Sequence, residues 1–328
     1  MLQTRFTEIF KVARPIVQGG LQHLAYGRLA AAVSNAGGLG QITAAAFPTP
    51  ELLQAEIRLC QSLTSQPFAL NFALGHFPMN HLLDAALEAG VRYVSFTAGN
   101  PEGMIKQIRE RGLESEVKIL VLVAGIRAAL KAESLGVHTV IAVGFEGGGH
   151  LGRDDIGTLV LVPRIVDAVK IPVLASGGIG DARGLAAALT LGAEGIEMGT
   201  RFVATQECIA HQHYKNALVT ASETDTIIIE RSIGRPGRTL KGPMADEIIA
   251  LESTNPPIEK LLPYISGQVN KQAAVEGELE KGFVWAGQVA GLINDIPTVQ
   301  ELLDRMTEGA EEILTRLARR TVVAEHRV

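Results

Sequence analysis

One stretch of the chain combines several glycines with a single imidazole, in the order Gly144-Phe145-Glu146-Gly147-Gly148-Gly149-His150-Leu151-Gly152. An imidazole changes its charge near neutral pH, so His150 could take up a proton, supply one, or hydrogen-bond a developing anion. A lone histidine is more often structural, but the surrounding glycines offer this ring few side chains to pack against. We therefore predict that His150 is a catalytic residue.

Two glycine turns follow consecutive apolar runs further along the chain. Ser176-Gly177-Gly178 ends the first run and precedes a helical pattern, and Gly199-Thr200 ends the second. Glycine lets backbone N–H groups approach an anion closely, and a helix N-terminus adds further donors. The two turns together predict a phosphate site; the alternative is that these glycines serve only tight turns.

Amides follow two earlier apolar runs. The first run ends in Gln18-Gly19-Gly20-Leu21-Gln22, and the third ends in Asn71-Phe72-Ala73. Amide and backbone groups of this kind suit a planar heteroaromatic ring that has several hydrogen-bonding edges. Glutamine and asparagine also often cap the ends of strands, and that alternative stays open.

Three other polar groups have both a functional and a structural interpretation. A basic stretch could bind the phosphates of NAD(P)H or of an acyl carrier, or could form a solvated loop; it contains Arg231, Arg235, Arg238 and Lys241. Asp154 and Asp155 could be paired acid–base carboxylates, but we expect them to cap the following helix. His76 and His81 have a spacing that fits no common zinc pattern, so we predict no metal site.

Eight short β-branched or apolar runs provide the framework for these residues. They cover residues 15–18, 39–42, 68–71, 93–96, 118–122, 139–143, 172–175 and 195–198. Helical patterns lie between them, at 29–36, 51–63, 82–89, 104–111, 128–135 and 185–191. Gly90, Gly136 and Gly192 each follow a helical pattern directly, as left-handed helix ends do. Alternating strands and helices in this number predict an α/β fold, a (β/α)8 TIM barrel, with its active site at the carboxyl ends of the strands.

The chain between the eighth strand and the last helix has a different character. Residues 211–290 carry five prolines among short helical patterns, whereas 299–317 form one strongly periodic stretch. We predict a barrel formed by residues 1–210 and 291–328, and a smaller helical insertion domain at 211–290 that contributes to the substrate site.

Composition excludes several classes of protein. The 328 residues are 47% hydrophobic and 20% charged, which is typical of a globular chain rather than a disordered one. Thirty Lys and Arg against 35 Asp and Glu give a net charge of −5, so a phosphate backbone has no basic field to bind. We expect no nucleic-acid partner.

Cysteine usage and hydropathy predict the compartment. Cys60 and Cys208 are far apart and form no CxxC motif, so we expect buried, reduced thiols. The first residues lack a signal-peptide core, and no segment approaches the roughly 18 apolar residues of a membrane span. We expect a cytoplasmic protein that does not associate with membranes.

The ordered motifs resemble those of the nitronate monooxygenase family, also called 2-nitropropane dioxygenases. The resemblance rests on Gly-Gly-Gly-His-Leu-Gly (147–152), Ala-Ser-Gly-Gly-Ile (175–179) and Met-Gly-Thr-Arg-Phe (198–202). It continues in Arg5-Phe6-Thr7, in residues 97–100 and in Trp285-Ala286-Gly287-Gln288, so it covers almost the whole chain.

This resemblance implies an FMN-dependent barrel. Ser176, Gly177, Gly178, Gly199 and Thr200 would surround the phosphate, and the ring would be lined by Gly20, Leu21, Gln22, Asn71 and Gly148. His150 would be the catalytic histidine that interacts with substrate. The implied reaction oxidises an alkyl nitronate with O2 to a carbonyl compound and nitrite, and the flavin performs the redox steps.

The same superfamily contains NAD(P)H-dependent reductases of quinones and of enoyl-acyl-carrier proteins. These share the histidine loop and both phosphate turns, so the motifs predict the cofactor better than the substrate. The chain departs from its relatives at Leu21, where many have Met, and at Leu122, where close relatives place a Lys facing the flavin. A flavin-free ligand-binding barrel is a third possibility, but it leaves His150 and the glycine turns unexplained.

Overall fold

Eight parallel strands form a barrel in the computed structural model, which describes residues 2–75 and 78–325, with side chains through 320. The barrel strands are β1 (Ile16–Gln18), β2 (Gly40–Thr43), β3 (Phe68–Ala73), β4 (Tyr93–Thr97), β5 (Lys118–Val123), β6 (Thr139–Val143), β8 (Val173–Ser176) and β9 (Ile196–Met198). All eight predicted strands are present, with ends within two residues of the prediction. A two-residue strand, β7 (Gly149–His150), lies outside the barrel.

The strand order closes the sheet on itself. Neighbours follow the order β1-β9-β8-β6-β5-β4-β3-β2, and every pair in this sheet is parallel. A parallel bridge between Val17 and Leu39 joins β1 to β2, and Gln18 N donates to Leu39 O at 3.0 Å. The predicted (β/α)8 barrel is therefore confirmed.

Helices surround the barrel. They are α2 (Gly27–Asn35), α3 (Pro50–Leu63), α4 (Asn80–Glu88), α5 (Glu102–Glu110), α6 (Ile126–Ser134), α7 (Thr158–Val166), α8 (Ala182–Thr190), the short α9 (Thr200–Val203) and α14 (Val299–Glu325). The predicted helical patterns did not include α7, because its apolar residues are consecutive and Pro163 lies inside it. Of the helices in the described ranges, none combines the length and the apolarity that crossing a bilayer requires.

The N-terminal end of the barrel is closed by helix α1 (Arg5–Phe10). Thr4 forms a capping box with Thr7 at its start, and Arg5 pairs with Glu194, which lies just before β9. Phe6 and Phe10 are fully buried and stack at 4.9 Å. They pack with inward-facing barrel residues, which are Val17, Leu39, Ala69, Leu120, Ile141 and Leu174. This apolar cluster fills the lower half of the barrel interior.

The segment predicted as a helical insertion contains helices and a β-hairpin. Its elements are α10 (Gln212–Thr220), β10 (Thr226–Ile229), β11 (Gly237–Leu240), α11 (Pro243–Glu252), α12 (Ile258–Ile265) and α13 (Gly267–Ala274). Strand β11 pairs antiparallel with both β10 and β7. The sequence did not predict β11, because its residues, Gly-Arg-Thr-Leu, do not show the alternation of apolar and polar residues that is typical of a strand. The hairpin joins this segment to the loop that carries His150.

Both cysteines are buried and free, as predicted. Burial raises the pKa of the Cys60 thiol to about 12 and that of the Cys208 thiol to about 11. Both thiols are therefore protonated at neutral pH, which disfavours a nucleophilic role.

Candidate active site

The upper half of the barrel interior is polar, in contrast to the lower half. Its buried residues include Gln41, Asn71, Ser95, Ser176 and Glu197. Asn71 Nδ2 donates to Ser95 Oγ at 2.9 Å, and Ser95 Oγ donates to Gln41 Oε1. These side chains come from strands around the barrel and face the end where the strands finish. The barrel therefore presents a hydrogen-bonding surface at its C-terminal mouth.

Glu197 is the acidic member of this layer. Its neighbours in the strand, Ile196 and Met198, belong to the outer core, so the alternation of β9 directs Glu197 inward. Ser176 Oγ donates to Glu197 Oε2 at 3.2 Å. Burial raises the pKa of Glu197 to about 7, and nearby Ser176 and Gln41 only partly offset this effect. Glu197 was not among the predicted site residues, although a charged residue inside a buried strand was a usable signal.

The two predicted phosphate turns leave the barrel side by side. Ser176 and Glu197 are partners in the parallel β8–β9 register, so the next residues on each strand begin neighbouring turns. Gly177 and Gly178 have φ values of +91° and +74°, which favour glycine. The Gly177 N–H continues the β8–β9 ladder towards Glu197 O, whereas no hydrogen bond from the N–H groups of Gly178, Gly199 and Thr200 is found among the loops and turns of the described residues. Three free donors at one rim suit an anion.

Most of the residues predicted to line a ring follow β1, which is the direct neighbour of β9, or belong to β3. A Cβ on Gly20 would lie 2.3 Å from Asn71 Oδ1, so the glycine lets the amide of Asn71 approach the first loop. A Cβ on Gly199 would lie 3.4 Å from Leu21 Cδ2, so Leu21 lies beside the turn that follows β9. Gln22 is exposed and lies beside Gly267 of α13. The structure thus brings Gly20, Leu21 and Asn71 to the mouth but directs Gln22 towards α13.

Leu122 faces the barrel interior. It packs partly buried against the inner apolar cluster, whereas Val121 and Val123 pack outward. An apolar side chain therefore occupies the inward position of β5 where the resemblance placed a lysine.

His150 lies at the mouth and is held from the insertion side. Gly237 of β11 is its antiparallel partner, and Leu151 N donates to Pro236 O at 2.8 Å. The imidazole is 42% exposed, and its Nε2 lies 3.6 Å from Oε2 of Glu230, whose side chain is 3% exposed. The Trp285 ring centroid lies 5.1 Å from the imidazole. Glu230 was not predicted from sequence, because nothing local links a hairpin turn to a loop 80 residues earlier.

Trp285 and the residues after it connect the insertion to the barrel mouth. Tyr214 Oη donates to Trp285 O, and Gly287 N donates to Thr200 Oγ1 at 3.0 Å. A Cβ on Gly148 would lie 2.6 Å from Gly287 N, so the histidine loop and this segment touch backbone to backbone. Trp285 thus packs in the insertion, against Phe283 at 4.8 Å, and also beside His150.

The predicted helix cap at Asp154 and Asp155 is wrong. Helix α7 begins after Gly157, and the carboxylate of Glu146 accepts from Thr158 N at 2.8 Å. Asp155 instead pairs with Arg231 at 3.0 Å. Glu146, from the turn after β6, caps α7 in place of Asp154 and Asp155. Glu146 therefore fixes the histidine loop to α7.

The basic stretch is not a single solvated loop. Arg238 is 4% exposed, lies 4.7 Å from the Phe145 ring centroid and donates to Thr226 Oγ1 at 3.1 Å. Arg231 is committed to Asp155. These two arginines anchor the hairpin beneath the histidine loop.

The histidine pair after β3 is only partly described. His76 lies outside the described residues, and His81 is exposed near the start of α4. Within the described ranges no group of three or more His, Cys, Asp or Glu side chains is arranged to hold a metal.

The fold is that of a (β/α)8 barrel, a class of enzymes whose active sites lie at the carboxyl ends of the strands. The sequence model of the nitronate monooxygenase family matches residues 3–309. The chain therefore belongs to the nitronate monooxygenase family and is an oxidoreductase of that type.

Individual relatives extend over nearly the whole chain. A probable nitronate monooxygenase of Staphylococcus saprophyticus is 33% identical over 96% of this chain and 99% of its own. A (3aS,4S,5R,7aS)-5-hydroxy-7a-methyl-1-oxo-octahydro-1H-indene-4-carboxyl-CoA dehydrogenase of Rhodococcus jostii is 31% identical over 94% of this chain and 96% of its own. The solved structure of FabK from Thermotoga maritima has a TM-score of 0.90 and 38% identity, and covers 97% of this chain and 99% of that chain.

Proposed function

We propose that the chain is an FMN-dependent oxidoreductase that oxidises alkyl nitronates with O2 to a carbonyl compound and nitrite. The observation that carries the proposal is the group of free N–H donors at Gly178, Gly199 and Thr200, on the same barrel mouth as His150. An anion held at this position would leave the rest of its molecule to extend over the polar upper interior.

The residues of the mouth fit FMN. The glycine turns supply the N–H donors and close backbone approach that a phosphate requires, and Ser176 adds a hydroxyl. Gly20, Leu21, Asn71 and Gly148 would line the ring. Thr43 Oγ1, buried at the top of β2, has no hydrogen-bond partner among the described residues. Such a buried atom is expected to find its partner in a ligand.

FMN supplies electron transfer when bound, and the chain's own residues act on the substrate. His150 Nε2 faces Glu230, which leaves Nδ1 free for the substrate. In the imidazolium form, Nδ1–H donates to an oxygen of the anionic nitronate and positions it. The Trp285 ring packs against one side of the His150 imidazole and limits its movement.

Anaerobic mixing of the FMN-loaded protein with propyl nitronate tests this activity. We expect the flavin absorbance band to bleach with the nitronate alone, and nitrite to form when air is admitted. An unchanged band would contradict the nitronate assignment.

The second candidate is an NAD(P)H-dependent reductase of quinones or enoyl thioesters. The 38% identity to FabK and the relationship to a dehydrogenase of a CoA ester favour this candidate. This candidate predicts fast bleaching with NADH or NADPH and none with the nitronate, in the same anaerobic experiment.

A matched pair of glycine substitutions tests the phosphate cradle. Gly178 and Gly136 have φ values of +74° and +76°, and a Cβ on either would lie 3.2 Å from its nearest neighbour. Gly136 follows helix α6 at the opposite end of the barrel. Both Gly178→Ala and Gly136→Ala should therefore lose about 1 kcal/mol of stability from backbone strain. Only Gly178→Ala should also weaken FMN binding; equal FMN affinities would contradict the cradle.

Two organisational features belong to the same proposal. The chain divides into a barrel (1–210 and 291–328) and an insertion (211–290). The insertion contributes to the substrate site, since its residues Glu230 and Trp285 lie beside His150. The cytoplasm is the proposed location, because free buried thiols suit a reducing compartment.

A further inference from the structure

Glu197 lies directly below the two phosphate turns. It precedes Gly199 by two residues in β9, and its carboxyl contacts Ser176, which begins the other turn. A Cβ on Gly19 would lie 3.3 Å from Glu197 Cδ, so the first loop also presses on the carboxyl. The carboxyl is therefore enclosed by the residues that form the cradle.

The groups that face Glu197 are uncharged. Ser176 comes from β8, Gly19 follows β1, and Gln41 comes from β2. Gln41 Nε2 completes no hydrogen bond among the described residues. Within the described chain, no cation neutralises the ionised form of Glu197. Its charge, when present, is therefore compensated only by hydrogen bonds.

The hydroxyl of Ser176 has a single proton, which it can donate to one acceptor at a time. When Glu197 is ionised, Ser176 donates to it and has no proton left for a ligand. When Glu197 is protonated, its O–H can donate to Ser176 Oγ, and the Ser176 proton becomes available to a phosphate oxygen. An ionised carboxylate below the turns would also repel a phosphate anion.

We propose that Glu197 makes phosphate binding at this mouth pH-dependent, because its protonation releases the Ser176 hydroxyl to the phosphate of FMN. The inference rests on the proposed function, in which this cradle holds FMN. Since burial raises the pKa of Glu197 to about 7, the change in affinity should fall near neutral pH. Binding should be tighter on the acid side.

Dissociation constants of FMN and riboflavin for the flavin-free full chain test the inference. We compare the unsubstituted chain with Glu197→Gln at about pH 6 and about pH 8.5, on either side of the neutral range. The glutamine amide can donate to Ser176 at both pH values. In the unsubstituted chain FMN affinity should fall about tenfold more than in Glu197→Gln as pH rises. Both proteins share the titration of the FMN phosphate itself, so their difference isolates Glu197.

Riboflavin, which lacks the phosphate, should show no such difference between the two proteins. Glu146→Gln is the matched control, since Glu146 also borders the Gly178 turn but bonds to Thr158; its pH dependence should follow that of the unsubstituted chain. Equal pH dependence of FMN binding with and without Glu197 would overturn the inference alone, as would an equal effect on riboflavin. No FMN binding at either pH would overturn the proposed function together with it.

Discussion

The two halves of the barrel interior differ in chemistry, although the same strands contribute residues to both. The lower half is filled by Phe6 and Phe10 of α1 and by aliphatic residues such as Leu120. The upper half contains Asn71, Glu197 and other polar groups, and two atoms there, Gln41 Nε2 and Thr43 Oγ1, have no hydrogen-bond partner among the described residues. One half is arranged for packing and the other for a ligand.

This difference indicates which half of the barrel contributes most to the free energy of unfolding. Apolar burial stabilises the lower half, whereas the buried carboxyl of Glu197 costs stability whenever it is ionised. Loss of packing should therefore destabilise the protein without changing its chemistry. Substitutions in the upper half should change the chemistry and can even stabilise the protein.

The largest effect is expected at His150. His150→Ala should lower turnover by about 10²- to 10³-fold, because the anionic nitronate loses the hydrogen-bond donor that positions it. FMN affinity should not change, since His150 lies away from the phosphate turns. Steady-state kinetics and FMN titration check both parts; unchanged turnover would remove His150 from the mechanism.

The floor of the barrel should respond in the opposite way. Phe10→Ala should lower the free energy of unfolding by about 3–5 kcal/mol, because it leaves a cavity in a fully buried cluster. Phe10→Leu, which fills part of that volume, should lose less. Denaturant unfolding measures the loss. Below the unfolding transition, FMN affinity should stay unchanged; a large drop in affinity would show that the two halves are not separate.

Glu197→Gln should stabilise the protein at high pH. Because the folded-state pKa is raised from 4.5 to about 7, the protonated carboxyl is fully favourable below 4.5, and stability is lost as pH rises to 7. The glutamine variant should gain about 1–3 kcal/mol above pH 7 relative to the unsubstituted chain, and none below about pH 4.5. Unfolding of the flavin-free proteins across this range measures the difference. A gain that is independent of pH would show that Glu197 does not titrate between these values.

The smallest effect is expected at Glu230, which positions His150 without touching substrate. Glu230→Gln should lower kcat about tenfold with little change in KM, because a neutral amide holds the imidazolium less firmly. Asp155→Asn is the control, since Asp155 is a carboxylate on the same loop as His150 but pairs with Arg231 and not with the imidazole. Equal kcat values for the two variants would assign Glu230 a structural role only.

Local patterns were sufficient to predict the barrel. Each buried strand is a short apolar run, and Gly90, Gly136 and Gly192 have the left-handed φ values expected after a helix. The family, which the ordered motifs predicted, is also confirmed, because the family's sequence model matches residues 3–309. These features depend on neighbouring residues, so the sequence displays them directly.

The features that sequence reasoning missed depend on contacts between distant parts of the chain. Glu230 meets His150 only because β11 pairs with β7, and the composition of β11 does not indicate a strand. Arg238 looked like a solvated cation, but the fold buries it against Phe145. Tertiary packing, rather than local propensity, determined these positions.

The crystal structure of the FMN-loaded protein tests the central claim most directly. We expect the phosphate oxygens to accept from the N–H groups of Gly178, Gly199 and Thr200 at about 2.7–3.2 Å. The ring should lie beside Gly20 and Asn71, with His150 facing it across the substrate position. A phosphate bound elsewhere, or a ring out of reach of His150, would contradict the account of this mouth as a flavin site.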